Sequence, residues 1–136
     1  MQTYKTTLLA LLLLFYCLTQ VHGQEIDQNL IIGKWKFVKT TIGQPAKDYK
    51  YNGDPLLTFE SNGRWITEDY NPNYRQRGTW KIEDKNLVRD PDKTENKDIP
   101  PYPRKIEKLT PTELVFSAFS VEGLTTITFY FTKIEQ

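Results

Sequence analysis

Residues 55–70 read Pro-Leu-Leu-Thr-Phe-Glu-Ser-Asn-Gly-Arg-Trp-Ile-Thr-Glu-Asp-Tyr. Leu57 and Phe59 alternate with polar neighbours, as one dry face of a strand requires. Ser61-Asn62-Gly63 then supplies a tight-turn signal, and Arg64–Tyr70 is a second β-rich run. Two such runs around Asn-Gly predict an antiparallel hairpin. The same pattern continues in both directions from it.

Upstream, Ile31–Thr41 reads as a strand with Trp35 and Phe37 on one face; Lys34, Lys36 and Lys39 do not all join them. A short helical turn around Asp27–Leu30, capped by Asp27, precedes it. Downstream, strand-like runs cover Gln76–Glu83, Asn86–Arg89, Arg104–Leu109, Glu113–Val121 and Leu124–Ile134. With Pro55–Glu60 and Arg64–Tyr70 these make eight strands. Trp80 and Ile82 face one way, Thr79 and Lys81 the other. In the last strand Ile127, Phe129 and Phe131 read as inward. In the seventh, Leu114, Phe116 and Ala118 compete with Val115, Phe119 and Val121 for the inner face. Trp35, Phe37, Leu57, Phe59, Trp65, Trp80, Phe116, Phe129 and Phe131 are the expected core, because large aromatics most often simply pack.

The connections sort by length. Ser61-Asn62-Gly63, Asp84-Lys85 and Thr110-Pro111-Thr112 are short and fall at one end of an antiparallel sheet. Ile42–Asp54, Asn71–Arg75 and Asp90–Pro103 are long and fall at the other, where only Glu122-Gly123 is tight. Tight turns at one rim and long loops at the other predict an all-β fold, a single eight-stranded antiparallel up-and-down β-barrel with an open mouth.

The first 23 residues stand apart. Lys5 begins a positive region, Leu8–Tyr16 is an unbroken apolar run, and Val21-His22-Gly23 offers compact residues for cleavage. This is the pattern of a secretory signal peptide, residues 1–23, with the barrel domain on 24–136. The expectation is export, to the periplasm or the medium. Leu14-Phe15-Tyr16-Cys17 also resembles a lipoprotein box, although Tyr16 is large for the position before the cysteine. A lipidated Cys17 would make the protein an outer-membrane lipoprotein, and membrane association is expected only in that case.

Loss of the leader removes His22, the sole histidine, and, absent lipidation, Cys17, the sole cysteine. Ser-His-Asp and Cys-His catalysis and Cys/His zinc sites go with them. Glu68 and Asp69 point to opposite faces of a strand and cannot share a substrate. The run Asp90–Asp98 has alternating oxygen ligands but lacks the Gly and Glu that a calcium loop needs. No cofactor and no metal are expected, and no enzyme activity. The chain has 18 basic and 17 acidic residues, and Lys5 leaves with the leader. An even balance argues against a nucleic-acid partner.

Gly33-Lys34-Trp35 opens the first strand and resembles the Gly-x-Trp of lipocalins. With Phe59-Glu-Ser-Asn-Gly63 and Gly78-Thr-Trp-Lys-Ile82, the chain resembles the small lipocalin-like domains of Bacteroidetes, in the calycin group. The resemblance implies an eight-stranded barrel over roughly residues 26–135, with Trp35 plugging its closed end. Two features depart from it. Thr67-Glu-Asp-Tyr70 lies in the third strand, so it is not the lipocalin Thr-Asp-Tyr motif. The arginine that packs on the first-strand Trp is missing, and Lys133 is the nearest basic residue. Fatty-acid-binding proteins share Gly-x-Trp, but Ile42–Asp54 is too short for their helical lid.

Around the mouth stand Tyr49, Tyr51, Tyr70, Tyr74 and Tyr102, with Arg75 and Arg77 beside them and Arg64 at the far end. Tyrosines offer a flat apolar face with a hydroxyl, and arginine forks onto carboxylates. Tyr51, Tyr70, Tyr74, Arg75, Arg77 and Tyr102 are the candidate ligand-binding residues. They suit a small hydrophobic or amphipathic ligand, tail inward and anionic head at the rim. The alternative is a filled barrel serving as a protein-interaction or cell-envelope structural domain, its tyrosines packed on prolines.

Overall fold

In the computed structural model the Asn-Gly hairpin closes as a three-residue loop. The Gly63 N–H donates to Glu60 O at 3.1 Å, and Asn62 Oδ1 accepts from Arg64 N at 2.9 Å. Gly63 sits at φ +82°, the left-handed position such a loop reserves for glycine. The structure describes residues 25–49, 55–69, 75–93, 102–119 and 125–135, and only the backbone of Tyr49 and Tyr102. The expected leader, residues 1–23, lies outside them.

A 3-10 turn over Gln28–Ile31 comes first, with the Asp27 carboxylate accepting from Asn29 N at 3.0 Å. The strands are β1 (Gly33–Ile42), β2 (Lys47–Tyr49), β3 (Leu56–Phe59), β4 (Arg64–Glu68) and β5 (Gln76–Glu83). They continue as β6 (Asn86–Pro91), β7 (Tyr102–Leu109), β8 (Glu113–Phe119) and β9 (Thr126–Lys133). All pairings are antiparallel, and β1 pairs with β9 from Trp35–Lys133 to Ile42–Ile127. That last pairing closes eight staves into a barrel.

One connection differs from its expectation. The described part of 42–54, residues 42–49, is not one continuous loop. The chain turns at Gly43–Ala46 and re-enters the sheet as β2, which pairs with Thr40–Ile42. Lys39 Nζ meets Asp48 at 3.2 Å across that ladder. Because β2 and β3 share one edge of β1, they are two pieces of a single stave. Lys47-Asp48-Tyr49 has no apolar alternation, so tertiary pairing rather than pattern makes it a strand.

The three tight turns stand at one rim. Asp84 and Lys85 take φ 47° and 65°, a two-residue hairpin turn. Thr110 Oγ1 accepts from Glu113 N at 2.9 Å and holds the third turn. Beneath this rim the barrel is solid. Trp35, Leu57, Phe59, Trp65, Phe116 and Phe131 are buried, and Phe37, Trp80 and Phe129 pack against them half-buried. Full burial of a leucine or phenylalanine among them contributes about 1.5–3 kcal/mol. On β8 the contest resolves for Leu114 and Phe116, both buried, while Phe119 points out.

Trp35 seals the base. Its indole N–H donates to Ile31 O at 2.8 Å, tying the 3-10 turn beneath the barrel. Lys133 supplies the basic partner: its Nζ lies 5.0 Å from the Trp35 ring centre and donates to Leu30 O at 2.9 Å. The aliphatic stem passes over Gly33, where an added Cβ would fall 2.7 Å from Lys133 Cε, and Gly33 has φ +133°. The glycine of Gly-x-Trp therefore serves the lysine's approach as well as the backbone.

On the outer face, Ser117 Oγ donates to Glu107 Oε1 at 2.6 Å and Lys105 Nζ to Oε2 at 3.0 Å. The serine hydrogen bond, ahead of the lysine, holds the Glu107 carboxyl below the ordinary carboxylate value. A carboxyl depressed by folding adds stability above its unfolded-state pKa. That stability is lost as pH falls through the carboxylate range to the folded-state value.

Two outcomes follow. Lys133→Met loses about 1–2 kcal/mol in urea denaturation, and Gly33→Ala at least as much. Lys81→Met, in an exposed pair with Glu83, changes stability by no more than about 0.5 kcal/mol. If Lys133→Met is as silent as Lys81→Met, the plug is wrongly assigned. Ser117→Ala raises the Glu107 carboxyl pKa, measured by NMR titration, and flattens the acid-side fall of Tm. An unmoved titration would refute the coupling.

Candidate functional site

Strand alternation decides what enters the barrel. On β9, Phe129 and Phe131 turn inward, as their spacing predicts. On β1 the phase slips: Phe37 pairs with Phe131, and Lys39 with Tyr130. Val38 is the extra residue and stands outward, 57% exposed. The bulge lets Phe37 and Thr40 both face in and turns Lys39 out, where its Nζ lies 5.3 Å from the Tyr130 ring centre. A second slip on β7, between Ile106 and Lys108, leaves Arg104 and Ile106 inward.

Above the solid base lies a cavity of about 400 Å³. Its apolar lining is Phe37, Pro55, Leu57, Phe116, Phe129 and Phe131. Phe116 stacks on Phe131 at 5.3 Å between ring centres and lies tilted against Phe129 at 5.4 Å; Phe37 meets Phe131 edge-on at 5.7 Å. Its polar lining is Thr40, Thr67, Asp69, Gln76, Arg89 and Arg104. Asp69 is buried and faces in, while Glu68 faces out toward Lys34 Nζ at 3.7 Å. The two carboxylates therefore lie on opposite faces, as the strand geometry requires.

Arg89 is half-buried in the cavity lining. Its Cζ lies 4.9 Å from the Trp65 ring centre and 5.6 Å from that of Phe116. Trp65 is fully buried, so the guanidinium rests on the floor between two aromatic faces, a favourable setting for a cation. Sequence reasoning missed Arg89 and Arg104 as site residues. The signal was present: Leu87 and Arg89, and Arg104 and Ile106, are each two apart, so a dry Leu87 and Ile106 carry their arginines inward.

The expected rim residues are distributed differently. Tyr51, Tyr70 and Tyr74 lie outside the described residues. Tyr102 opens β7 opposite Arg89 in the ladder. Arg75 is exposed, and its Nε donates to Asp69 O at 2.6 Å, so it braces the end of β4. Arg77 is exposed on the outward face of β5, between inward Gln76 and Gly78. Arg64 forks onto Asp92, Nη1 to Oδ1 at 2.9 Å and Nη2 to Oδ2 at 2.5 Å, stapling β4 to the end of β6. Among the described residues no group of His, Cys, Asp and Glu is placed to hold a metal ion.

Known structures place this architecture. A lipocalin-like protein from Bacteroides uniformis superposes with TM-score 0.57 at 14% identity, covering 77% of this chain and 99% of that one. Bovine odorant binding protein, in complex with a selenium-containing odorant, overlays more loosely. Its TM-score is 0.46 at 20% identity, over 85% of this chain and 79% of that one. No family model matches the chain, and no curated protein matches its sequence. The fold is that of a lipocalin-like barrel.

Proposed function

We propose that this protein is an exported binding protein, not an enzyme, that takes one small and largely apolar ligand into the upper half of its barrel. The observation that carries the reading is the cavity of about 400 Å³ walled by phenylalanines. That volume falls within the range of small-molecule sites, roughly 300–1,000 Å³. A barrel filled to the rim would favour an interaction or envelope-structural domain instead, and the open upper half weighs against that. Export rests on the leader pattern of residues 1–23, and a membrane anchor on lipidation of Cys17. Tyr51, Tyr70, Tyr74 and Tyr102 are proposed to flank the ligand's entry, with Arg75 and Arg77 at the rim.

The neutral apolar dye N-phenyl-1-naphthylamine tests this directly. It binds with one-to-one stoichiometry and gains fluorescence. Thr67→Phe, which fills the cavity from β4, weakens binding at least about tenfold, whereas Thr79→Phe on the outward face of β5 leaves it unchanged. No saturable dye binding, or equal effects of the two variants, would sink the reading.

A further inference from the structure

Three tryptophans stand in the barrel, and their indole N–H groups differ. Trp35 donates to Ile31 O at 2.8 Å and Trp80 to Glu60 O at 3.1 Å. Trp65 is fully buried, and its Nε1–H has no acceptor among the described residues. The ladder shows why. Its cross-strand partners are Phe59 on β3 and Gly78 on β5, and neither has a side-chain acceptor. Residue 78 has no room for one, because an added Cβ would overlap the backbone of Asp90 and Pro91.

Buried donors are nearly always paired, since an unmade bond costs the donor its hydration with nothing in exchange. Trp65 lies where a ligand can complete it. Arg89 lines the cavity, and its Cζ is 4.9 Å from the Trp65 ring centre. Thr67, two residues along β4, also lines the cavity, as does Leu57, its partner on β3. Trp65 thus belongs to the layer that borders the inner end of the ligand space.

The indole N–H only donates, so its partner must accept. A hydroxyl would accept but would carry a further donor into the barrel; a carbonyl carries none. Resting on the small-ligand reading above, we infer that the ligand bears a neutral carbonyl at its inner end, as in a ketone, aldehyde or ester, whose oxygen accepts from Trp65 Nε1. Its apolar remainder lies along Phe37, Phe116, Phe129 and Phe131. A buried donor of this kind separates ligands of one shape, because an analogue without the acceptor leaves the donor unpaired.

2-Octanone and 2-methyl-1-octene share one skeleton and differ only in oxygen against CH2. Each is titrated against N-phenyl-1-naphthylamine bound to the wild-type protein, and each displaces it. In NMR spectra of the indole N–H groups, assigned on the wild-type protein by NOEs, the ketone moves the Trp65 peak downfield and leaves those of Trp35 and Trp80 in place. The alkene moves none of them downfield. In Trp65→Phe, with folding checked by circular dichroism, the ratio of ketone to alkene affinity falls at least about fivefold. The ratio cancels any change that the variant makes to the shape of the cavity. A ketone that fails to displace the dye, a Trp65 peak unmoved by bound ketone, or a ratio that survives Trp65→Phe overturns the inference and leaves the small-ligand reading standing. Failure of the dye itself to bind removes the underlying reading, and this inference with it.

Discussion

Strand β1 hydrogen-bonds on one edge to β9 and on the other to β3 and β2. Among the described strands, β3 to β9 and β1 thus pair on both sides, while the short β2 pairs only with β1. Closure also fixes the interior. Eight staves enclose a space just wide enough for side chains or one small ligand. Every inward residue competes for that space, so the position of the large ones decides where a ligand can go. Trp35, Phe59 and Trp65 occupy the end with the tight turns. The free volume is left at the other end, where Pro55, Asp69 and Gln76 line it.

The base is held by parts that depend on one another. Trp35 fills it, and its N–H would be a buried donor without a partner if the 3-10 turn did not bring Ile31 O to it. Lys133, its partner across the β1–β9 ladder, covers the ring and donates to Leu30 O. It reaches that position only because residue 33 has no Cβ. A lysine thus performs what the resemblance assigns to an arginine, with an ammonium point contact in place of a planar stack.

Much of this was legible in the residues. Turn chemistry at Ser61-Asn62-Gly63, Asp84-Lys85 and Thr110-Pro111-Thr112 located one rim, and alternation of Phe129 with Phe131 oriented β9. What escaped has physical causes. Strict alternation places Lys39 on the face of Trp35 and Phe37, and only the bulge at Val38 turns it out; no local residue preference announces a bulge of that kind. β2 is a strand because Thr40–Ile42 presents it an edge, not because of its composition. The inner arginines were overlooked for a different reason. Charge is read as a sign of solvent, and that rule fails where aromatic faces and a cavity receive the cation. Conversely, Arg75 and Arg77 looked like rim ligands from their position beside a loop, while alternation from inward Gly78 already sends Arg77 to the outer face.

Phe116 joins the apolar and the polar lining of the cavity. Its ring stacks on Phe131 and lies tilted against Phe129, and Arg89 approaches it from the polar lining. The residue is buried and packs with the core, so it also belongs to the part that makes the barrel stable. A site built this way has little freedom to separate binding from folding: the ring that orients the cation is the ring that closes the core. The register places the polar members Thr67 and Gln76 as a facing pair on β4 and β5, apart from the Phe116 stack. Selectivity among ligands of similar size can therefore be tuned at that pair without disturbing the Phe116 stack, whereas a change at Phe116 alters stability and recognition together.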